Sequence, residues 1–329
     1  MIARTRYCWM AALCVAVVGC SRAVYHGNIC KTAFLEDCRS TVQTPRRIDE
    51  LIYEDIHLGG KGTRRVVYTR LQKAARIGDL KAVKLLIEHG ANVNSVCYMR
   101  YTPLHWAARN DHLEIAKVLV GADASLEAST ILGKTPLLTA AWHGRERTAA
   151  FLINSGAAIS AYNHQGRTVL HFACHSGKIA LVKLLLDRGA DIEARDNFGQ
   201  TPLSEGIANK AIVMLLLERG ADATVVDKRK ETLLHNAVCA AGSKDNPDIL
   251  KLLIDKGAKV DSTDRDGNTA LHFSAGNGRR KVVAFLLENG ANINARDNKG
   301  RTAEQKARKN GHDKTADYLV KRMRRRRQD

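Results

Sequence analysis

The sequence has little proline and few aromatic residues, and this scarcity narrows the possible fold classes. Only five prolines occur in 329 residues, and Phe, Trp and Tyr together make up 5% of the chain. With many Ala and Leu beside them, this composition favours helices over a β-sandwich. Hydrophobic residues reach 45% and charged residues 26%, an ordinary balance for a folded protein, which argues against disorder of the whole chain.

Acidic residues are scarce relative to basic ones. The chain has 34 Asp and Glu against 52 Lys and Arg, for a formal net charge of +18. Such a balance favours acidic partners, which include nucleic acid, anionic lipid headgroups and polyanionic envelope polymers. It carries no information about the fold.

Recognisable catalytic motifs are also missing. The sequence contains no G-x-S-x-G, no H-E-x-x-H and no paired carboxylates in a familiar frame. The segment Gly59–Thr63 has the composition of a phosphate-binding loop but not its spacing, so we expect a flexible linker there. His171 and His175 are four residues apart but lack a third ligand, and no cysteines have zinc-ligand spacing. We therefore expect no enzyme, no metal and no cofactor.

The N-terminus has the pattern of an export signal. Arg4 and Arg6 precede an uncharged, mostly apolar run over residues 8–19, which is shorter than the roughly 20 residues that span a bilayer. The run ends in Val17-Val18-Gly19-Cys20, which resembles the lipobox of bacterial lipoproteins. The resemblance implies removal of residues 1–19 and a lipid on Cys20, which would anchor the protein at the cell envelope, in the outer membrane or periplasm. The alternative is an ordinary cut after Ala23 and a secreted protein.

The other cysteines fit an exported protein. Cys30 and Cys38 are close in sequence and could form a disulfide in an oxidising compartment. We expect the remaining cysteines outside the signal to be free and mostly buried; they are Cys97, Cys174 and Cys239.

A threonine recurs at nearly constant spacing along most of the chain. Successive positions are separated by 33, 33, 33, 33, 31, 37 and 33 residues. The threonine commonly opens a segment such as Thr102-Pro103-Leu104-His105, and glycines follow at two fixed offsets, the first in five and the second in four of the eight repeats. The series comprises Thr69, Thr102, Thr135, Thr168, Thr201, Thr232, Thr269 and Thr302.

The period and the Thr-Pro-Leu-His signature are similar to those of the ankyrin-repeat family. The resemblance covers about residues 66–323 and implies an all-α solenoid of about eight helix-turn-helix repeats with short hairpin-like loops. It further implies a non-enzymatic protein–protein interaction scaffold or adaptor. The signature histidines of the family hold neighbouring loops by hydrogen bonds, a role that falls here on His105, His171, His235 and His272.

Each recurring residue type has a physical reason. Thr is a good helix N-cap and Pro suits the first helical position. The first Gly permits a tight turn between two short helices, and the second suits a helix end with positive φ, where Asp123 replaces it once. The second helix of each repeat is apolar on nearly all sides, so only stacked neighbours can cover it.

The ends and two inner repeats depart from the pattern. The repeats at Thr69 and Thr302 lack the Pro and His and are richer in charge, as terminal repeats should be. The fifth repeat is short around Asn209, and the sixth is long over residues 240–248, which we interpret as softer joints.

The predicted domains are a signal peptide (1–19), an N-terminal tether (20–65) with a short helix from about Arg46 to His57, the repeat array (66–323) and a basic tail (324–329). The arginine-rich end has two interpretations. It is either a solvated end that keeps the array soluble or an electrostatic contact with an anionic surface.

The family resemblance places partner binding on loop tips and on the exposed face of each first helix. Aromatic and Arg residues at these positions are typical of binding hot spots, although Trp106 and Phe172 could instead fill space between repeats. We expect a protein partner and a monomeric chain, with nucleic acid not the partner. The alternatives are a secreted effector that binds a host protein and a charge-driven binder of anionic lipid or polymer. The candidate residues are Tyr101, Trp106, Arg109, Lys134, Trp142, His143, Arg167, Phe172, His175, Gln200, Phe273 and Arg301.

Overall fold

A computed structural model describes residues 51–57, 63–96, 99–240 and 247–325. Several predictions of the sequence lie outside these residues. They concern the signal peptide, the lipid on Cys20, the Cys30–Cys38 disulfide, the linker at residues 59–62, Cys97 and the last four residues.

The described residues form sixteen helices arranged as eight consecutive pairs, which confirms the all-α repeat architecture predicted from the threonine series. None of these helices combines the length and apolar character needed to cross a membrane. The helices are α1 Arg70–Ile77, α2 Leu80–Glu88, α3 Pro103–Asn110, α4 Leu113–Gly121, α5 Pro136–Trp142, α6 Glu146–Asn154, α7 Val169–Ser176, α8 Ile179–Asp187, α9 Pro202–Glu205, α10 Lys210–Glu218, α11 Leu233–Ala240, α12 Asp248–Asp255, α13 Ala270–Gly276, α14 Arg280–Glu288, α15 Ala303–Lys309 and α16 Asp313–Arg325.

Six threonines of the series cap the first helix of their pair through the side-chain hydroxyl. The Thr102 hydroxyl accepts a hydrogen bond from the backbone N–H of His105 at 3.3 Å, which satisfies one of the donors left unpaired at the start of α3. Pro103 occupies the first helical position, where a missing N–H costs nothing. The same side-chain cap is present at Thr69, Thr135, Thr168, Thr201 and Thr302.

The recurring glycine offsets coincide with left-handed backbone. Gly144, between α5 and α6, has φ 63°, and Gly156, just after α6, has φ 93°. Asp123 takes the second position in its repeat with φ 61°. These values confirm the turn and helix-end roles predicted for both glycines, because L side chains rarely adopt such φ angles.

The contacts divide the chain into two units, with the boundary between Asp191 and Ile192. In the N-terminal unit the first helices α1, α3, α5 and α7 pack in succession, as do the second helices α2, α4, α6 and α8. In the C-terminal unit α11, α13 and α15 pack in succession, α10 packs on α12, and α14 packs on α16. Each unit buries its own leucine core, with Leu104 and Leu185 in the first and Leu216 and Leu253 in the second fully inaccessible.

The helix expected from Arg46 to His57 is wrong for the described residues 51–57. Strand β1 (Leu51–His57) pairs antiparallel with strand β2 (Thr63–Thr69), with Leu51 opposite Thr69. Both segments are rich in β-branched and aromatic residues, which favour strands, and the ladder pairs the backbone of one segment with that of the other. Strand β2 leads directly into the Thr69 cap and contacts α1, so a hairpin precedes the array.

The irregular repeats and the C-terminal helix are also visible. Helix α9 has only four residues, and Asn209 caps α10 in place of an inter-helix glycine turn. Helix α12 begins at Asp248, directly after Pro247. Helix α16 continues through Arg325, past the predicted start of the basic tail at residue 324, because Arg and Lys are good helix formers.

Candidate functional site

The signature histidines connect successive repeats. The Nε2 of His105 donates to the backbone carbonyl of Lys134 at 2.9 Å. In the C-terminal unit, His235 donates to the carbonyl of Asn268 at 2.9 Å, and His272 to that of Arg301 at 3.0 Å. These bonds confirm the framework role that the resemblance implied for His105, His235 and His272. Each fixes the backbone of the residue directly before a threonine of the series.

Burial keeps these histidines neutral. It lowers the pKa of His105 to about 4, because the charged imidazolium would lose its hydration, while the bond to the Lys134 carbonyl acts weakly in the opposite direction. The pKa values of His235 and His272 are lowered for the same first reason. They are therefore structural groups rather than proton carriers near neutral pH.

A row of aromatic rings and cations crosses four repeats of the N-terminal unit. We call it the aromatic–cation row. The Trp106 ring meets Tyr68 edge-on at 5.5 Å and Tyr101 at 4.9 Å, measured between ring centroids. Further along, Trp142 meets Phe172 edge-on at 5.1 Å and stacks parallel on His175 at 4.9 Å. The row comprises Tyr68, Arg76, Tyr101, Trp106, Arg109, Lys134, Trp142, Phe172 and His175.

The cations of the row lie over ring faces. The Lys134 ammonium is 4.3 Å from the centroid of Trp142 and 5.3 Å from that of Phe172. The Arg109 guanidinium lies 5.5 Å from Trp106. The negative face of an aromatic ring attracts a cation at such distances. The rings therefore hold these basic side chains in place.

Burial separates the predicted residues of this unit into two groups. Trp106 is 5% exposed, Phe172 2% and Lys134 8%, so they pack within the repeats. The burial of the two rings favours the alternative in which they fill space between repeats. The residues that remain accessible are Tyr101, Arg109, Trp142, His143 and Arg167, which are half-buried, and His175, which is exposed.

A basic cluster adjoins Trp142. It consists of Arg109, Lys134, His143 and Arg145. The Arg145 Nε donates to the backbone carbonyl of Arg109 at 2.9 Å, which joins the turn after α5 to the end of α3. The pKa of His143 is lowered to about 4, first by burial and then by the positive charges of Arg109, Lys134 and Arg145. The cluster is therefore a site of positive potential.

In the C-terminal unit, the predicted residues are held by intramolecular contacts. Gln200 is buried, donates to Asp227 at 2.7 Å and accepts from Asn236 at 3.2 Å. The Arg301 guanidinium is bonded to Asp297 at 2.6 Å, and the pKa of that carboxyl is held well below its usual range despite the opposing effect of burial. These contacts stabilise hairpins, and they occupy hydrogen-bonding groups of Gln200 and Arg301 that a partner would otherwise bind.

Phe273 is also held by intramolecular contacts in the C-terminal unit. Its ring is half-buried and meets the His235 ring edge-on at 5.4 Å, with the Lys306 ammonium 5.9 Å from its centroid.

Three residues of the N-terminal site were missed by the sequence reasoning. Tyr68 precedes Thr69 as Tyr101 precedes Thr102, so the tip series could have been extended to it. Arg76 follows Thr69 at the offset at which Arg109 follows Thr102. Arg145 gave no such signal, because its role depends on a contact with the preceding repeat.

The predicted thiols and the histidine pair lie in helices. Cys174 is buried in α7 and Cys239 is half-buried in α11. Among the residues that the structure describes, no group of three or more His, Cys, Asp or Glu side chains could hold a metal ion.

A comparison with protein families agrees with the repeat pattern. The family model for ankyrin repeats (3 copies) matches residues 23–129, 120–196, 137–227, 192–264 and 234–328, which together cover most of the chain. A search of curated proteins found no match.

Proposed function

The chain belongs to the ankyrin-repeat family, and from this membership we propose that it is a non-enzymatic scaffold that binds a protein partner through its N-terminal unit. Ankyrin repeats are generally protein–protein interaction modules. Since a fold by itself does not define a partner, the binding surface has to be argued from its side chains.

The observation that carries this proposal is the accessible part of the aromatic–cation row. Trp142, Tyr101 and Arg109 are half-buried, and these residue types dominate binding hot spots in protein interfaces. Their positions are held by ring stacking, cation–π contacts and the His105–Lys134 bond. A surface held in this way loses little conformational entropy when a partner binds.

The test is quantitative affinity isolation of the tagged protein from the cells that produce it. Trp142→Ala should lower recovery of the partner several-fold, because it removes the largest accessible ring of the row. Phe151→Ala is the matched control, since Phe151 is a half-buried aromatic residue on the second helix of the same repeat. Equal recovery with wild type and Trp142→Ala would contradict the proposed surface.

The proposed location is the bacterial cell envelope, with a lipid on Cys20. The lipobox-like sequence directly after a short apolar run supports it. Fatty-acid labelling and fractionation of wild type beside Cys20→Ala provide the test. Label that depends on Cys20 and a membrane-associated protein are expected; an unlabelled protein in the medium would favour the secreted-effector alternative.

A further inference from the structure

Resting on the proposed function, we propose that the partner presents an acidic peptide segment, and that Asp or Glu side chains of this segment bind Arg109 and Arg145 in the basic cluster. The repeat family implies protein binding in general, and the charge of the partner is set by the side chains of this surface.

The first argument is the charge of the helices that form this surface. Helices α1, α3, α5 and α7 contain no Asp or Glu. Helix α1 carries Arg70, Lys73 and Arg76, and α3 carries Arg109. The first-helix surface of the N-terminal unit is therefore basic by sequence, and complementary charge on a partner would increase its association rate and its specificity.

The second argument is the geometry of the basic cluster. Arg109 contacts the Trp106 ring, and Arg145 is held by its bond to the Arg109 carbonyl, so both guanidinium groups come from ordered side chains. An aromatic ring restrains a cation without contributing a negative charge. Guanidinium groups that are restrained and half-buried suit the planar, two-oxygen geometry of a carboxylate.

His143 provides an internal probe of this potential. Arg109, Lys134 and Arg145 all lower its pKa, and they are the charged groups that act on it most strongly. A carboxylate that binds between the two arginines would oppose their effect. Binding should therefore raise the pKa of His143.

The rings of the row favour a peptide over single-stranded nucleic acid. Proteins that bind single strands without sequence preference leave ring faces open for bases to stack on. Here Trp142 already contacts Lys134, Phe172 and His175. The ring faces therefore hold cations and one another, which makes them poorly suited to stack on bases, and a peptide would contact Trp142 together with the basic groups.

The C-terminal unit differs in the same positions. Its first helices include Glu205 and Glu304, and Arg301 is ion-paired with Asp297. We therefore expect the acidic segment of the partner to bind the N-terminal unit and not the C-terminal unit.

The test begins with selection from a displayed library of random short peptides on the purified full-length protein. Selected peptides should be enriched in Asp and Glu. A selected peptide and its Asn/Gln counterpart, each labelled with fluorescein, are then titrated at low and high salt. The acidic form should bind at least about tenfold more tightly at low salt, and salt should weaken that binding.

Variants locate the binding. Arg109→Gln combined with Arg145→Gln should weaken binding of the acidic peptide about tenfold. Arg109→Lys should weaken it less, because it keeps the charge and loses only the planar two-donor geometry of the guanidinium. Lys117→Gln combined with Lys183→Gln is the matched control, since it removes two exposed positive charges from second helices of the same unit. The NMR-determined pKa of His143 should rise when the acidic peptide is bound.

The outcomes separate this inference from the proposed function. Peptides that bind without acidic enrichment and lose affinity with Trp142→Ala would leave protein binding intact and overturn the acidic partner. Equal effects of the two double variants, or tighter binding of single-stranded DNA of the same charge, would also overturn it. If no selected peptide loses affinity with any variant of the aromatic–cation row, both the acidic partner and the proposed binding surface are contradicted.

Discussion

The Nε2 of His105 donates to the backbone carbonyl of Lys134 at 2.9 Å, and this bond joins the second repeat to the third. On the other side of the ring, Nδ1 accepts from the backbone N–H of Thr102 at 3.2 Å. One neutral imidazole therefore satisfies a helix cap and a loop of the next repeat. The Lys134 ammonium in turn lies over Trp142, so the framework bond also positions the candidate binding surface.

Removal of this histidine should destabilise the N-terminal unit. His105→Ala is expected to lower the free energy of unfolding by about 2–3 kcal/mol, because it leaves the buried Thr102 N–H without a partner and removes one of the two hydrogen bonds that the Lys134 carbonyl accepts. His105→Gln should cost clearly less. In the first repeat, Gln72 donates to the Tyr101 carbonyl at 3.0 Å and accepts from the Thr69 N–H at 3.2 Å. Urea unfolding measures the stability of both variants. Equal losses for His105→Ala and His105→Gln would contradict the role of His105 in bonding to Thr102 and Lys134 at once.

The free energy of unfolding should decrease as the pH is lowered from about 6.5 to about 4. Folding lowers the pKa of His105 from 6.5 to about 4, so the unfolded chain binds more protons in this range. The contribution of neutral His105 is complete above its unfolded pKa and is lost as the pH falls through the folded value. His105→Gln should make the urea midpoint less dependent on pH over this window. An unchanged dependence would show that His105 is not a group responsible for it.

A charge in the core should be far more harmful than one at the surface. Leu185 in α8 is fully buried, so Leu185→Asp is expected to cost about 3 kcal/mol or more through an unpaired buried charge. Leu85 in α2 is 56% exposed, and Leu85→Asp should cost less than about 1 kcal/mol. Thermal melting of the two variants provides the comparison. Similar melting temperatures would contradict the packing described for the repeats.

Two glycines with positive φ should respond differently to alanine. At Gly156 a Cβ atom would meet nothing within 4 Å, so Gly156→Ala should cost only the backbone strain, about 1 kcal/mol. At Gly133 a Cβ would lie 2.9 Å from the backbone nitrogen of His164 and 2.5 Å from its Cδ2 atom. Gly133→Ala should therefore cost at least about 1 kcal/mol more. Denaturant unfolding of the two variants measures this difference. Equal losses of stability would contradict the close contact between residue 133 and His164.

Most of the repeat framework could be predicted from the sequence because its causes are local. Thr102 caps a helix, Gly156 ends one and Asp123 substitutes for glycine through preferences of single residues. Each preference is weak by itself, but its recurrence at the same position in successive repeats makes the pattern clear. The hairpin before Thr69 was not predicted in this way, since strands β1 and β2 depend on pairing with each other rather than on the preferences of single residues.

The candidate site was only partly predictable. A 33-residue period places Trp106, Trp142 and Phe172 on first helices, but burial depends on which side chains the adjacent repeats contribute. Trp106 lies against Tyr68 and Tyr101, and it is buried for that reason.

The most direct test of the account places a photo-crosslinking amino acid at position 142, and at position 151 as a control, in the cells that make the protein. The account predicts a crosslinked protein partner from position 142 and little or none from position 151, because the first-helix surface of the N-terminal unit binds the partner. Crosslinks that form equally from both positions, or from position 151 alone, would contradict it.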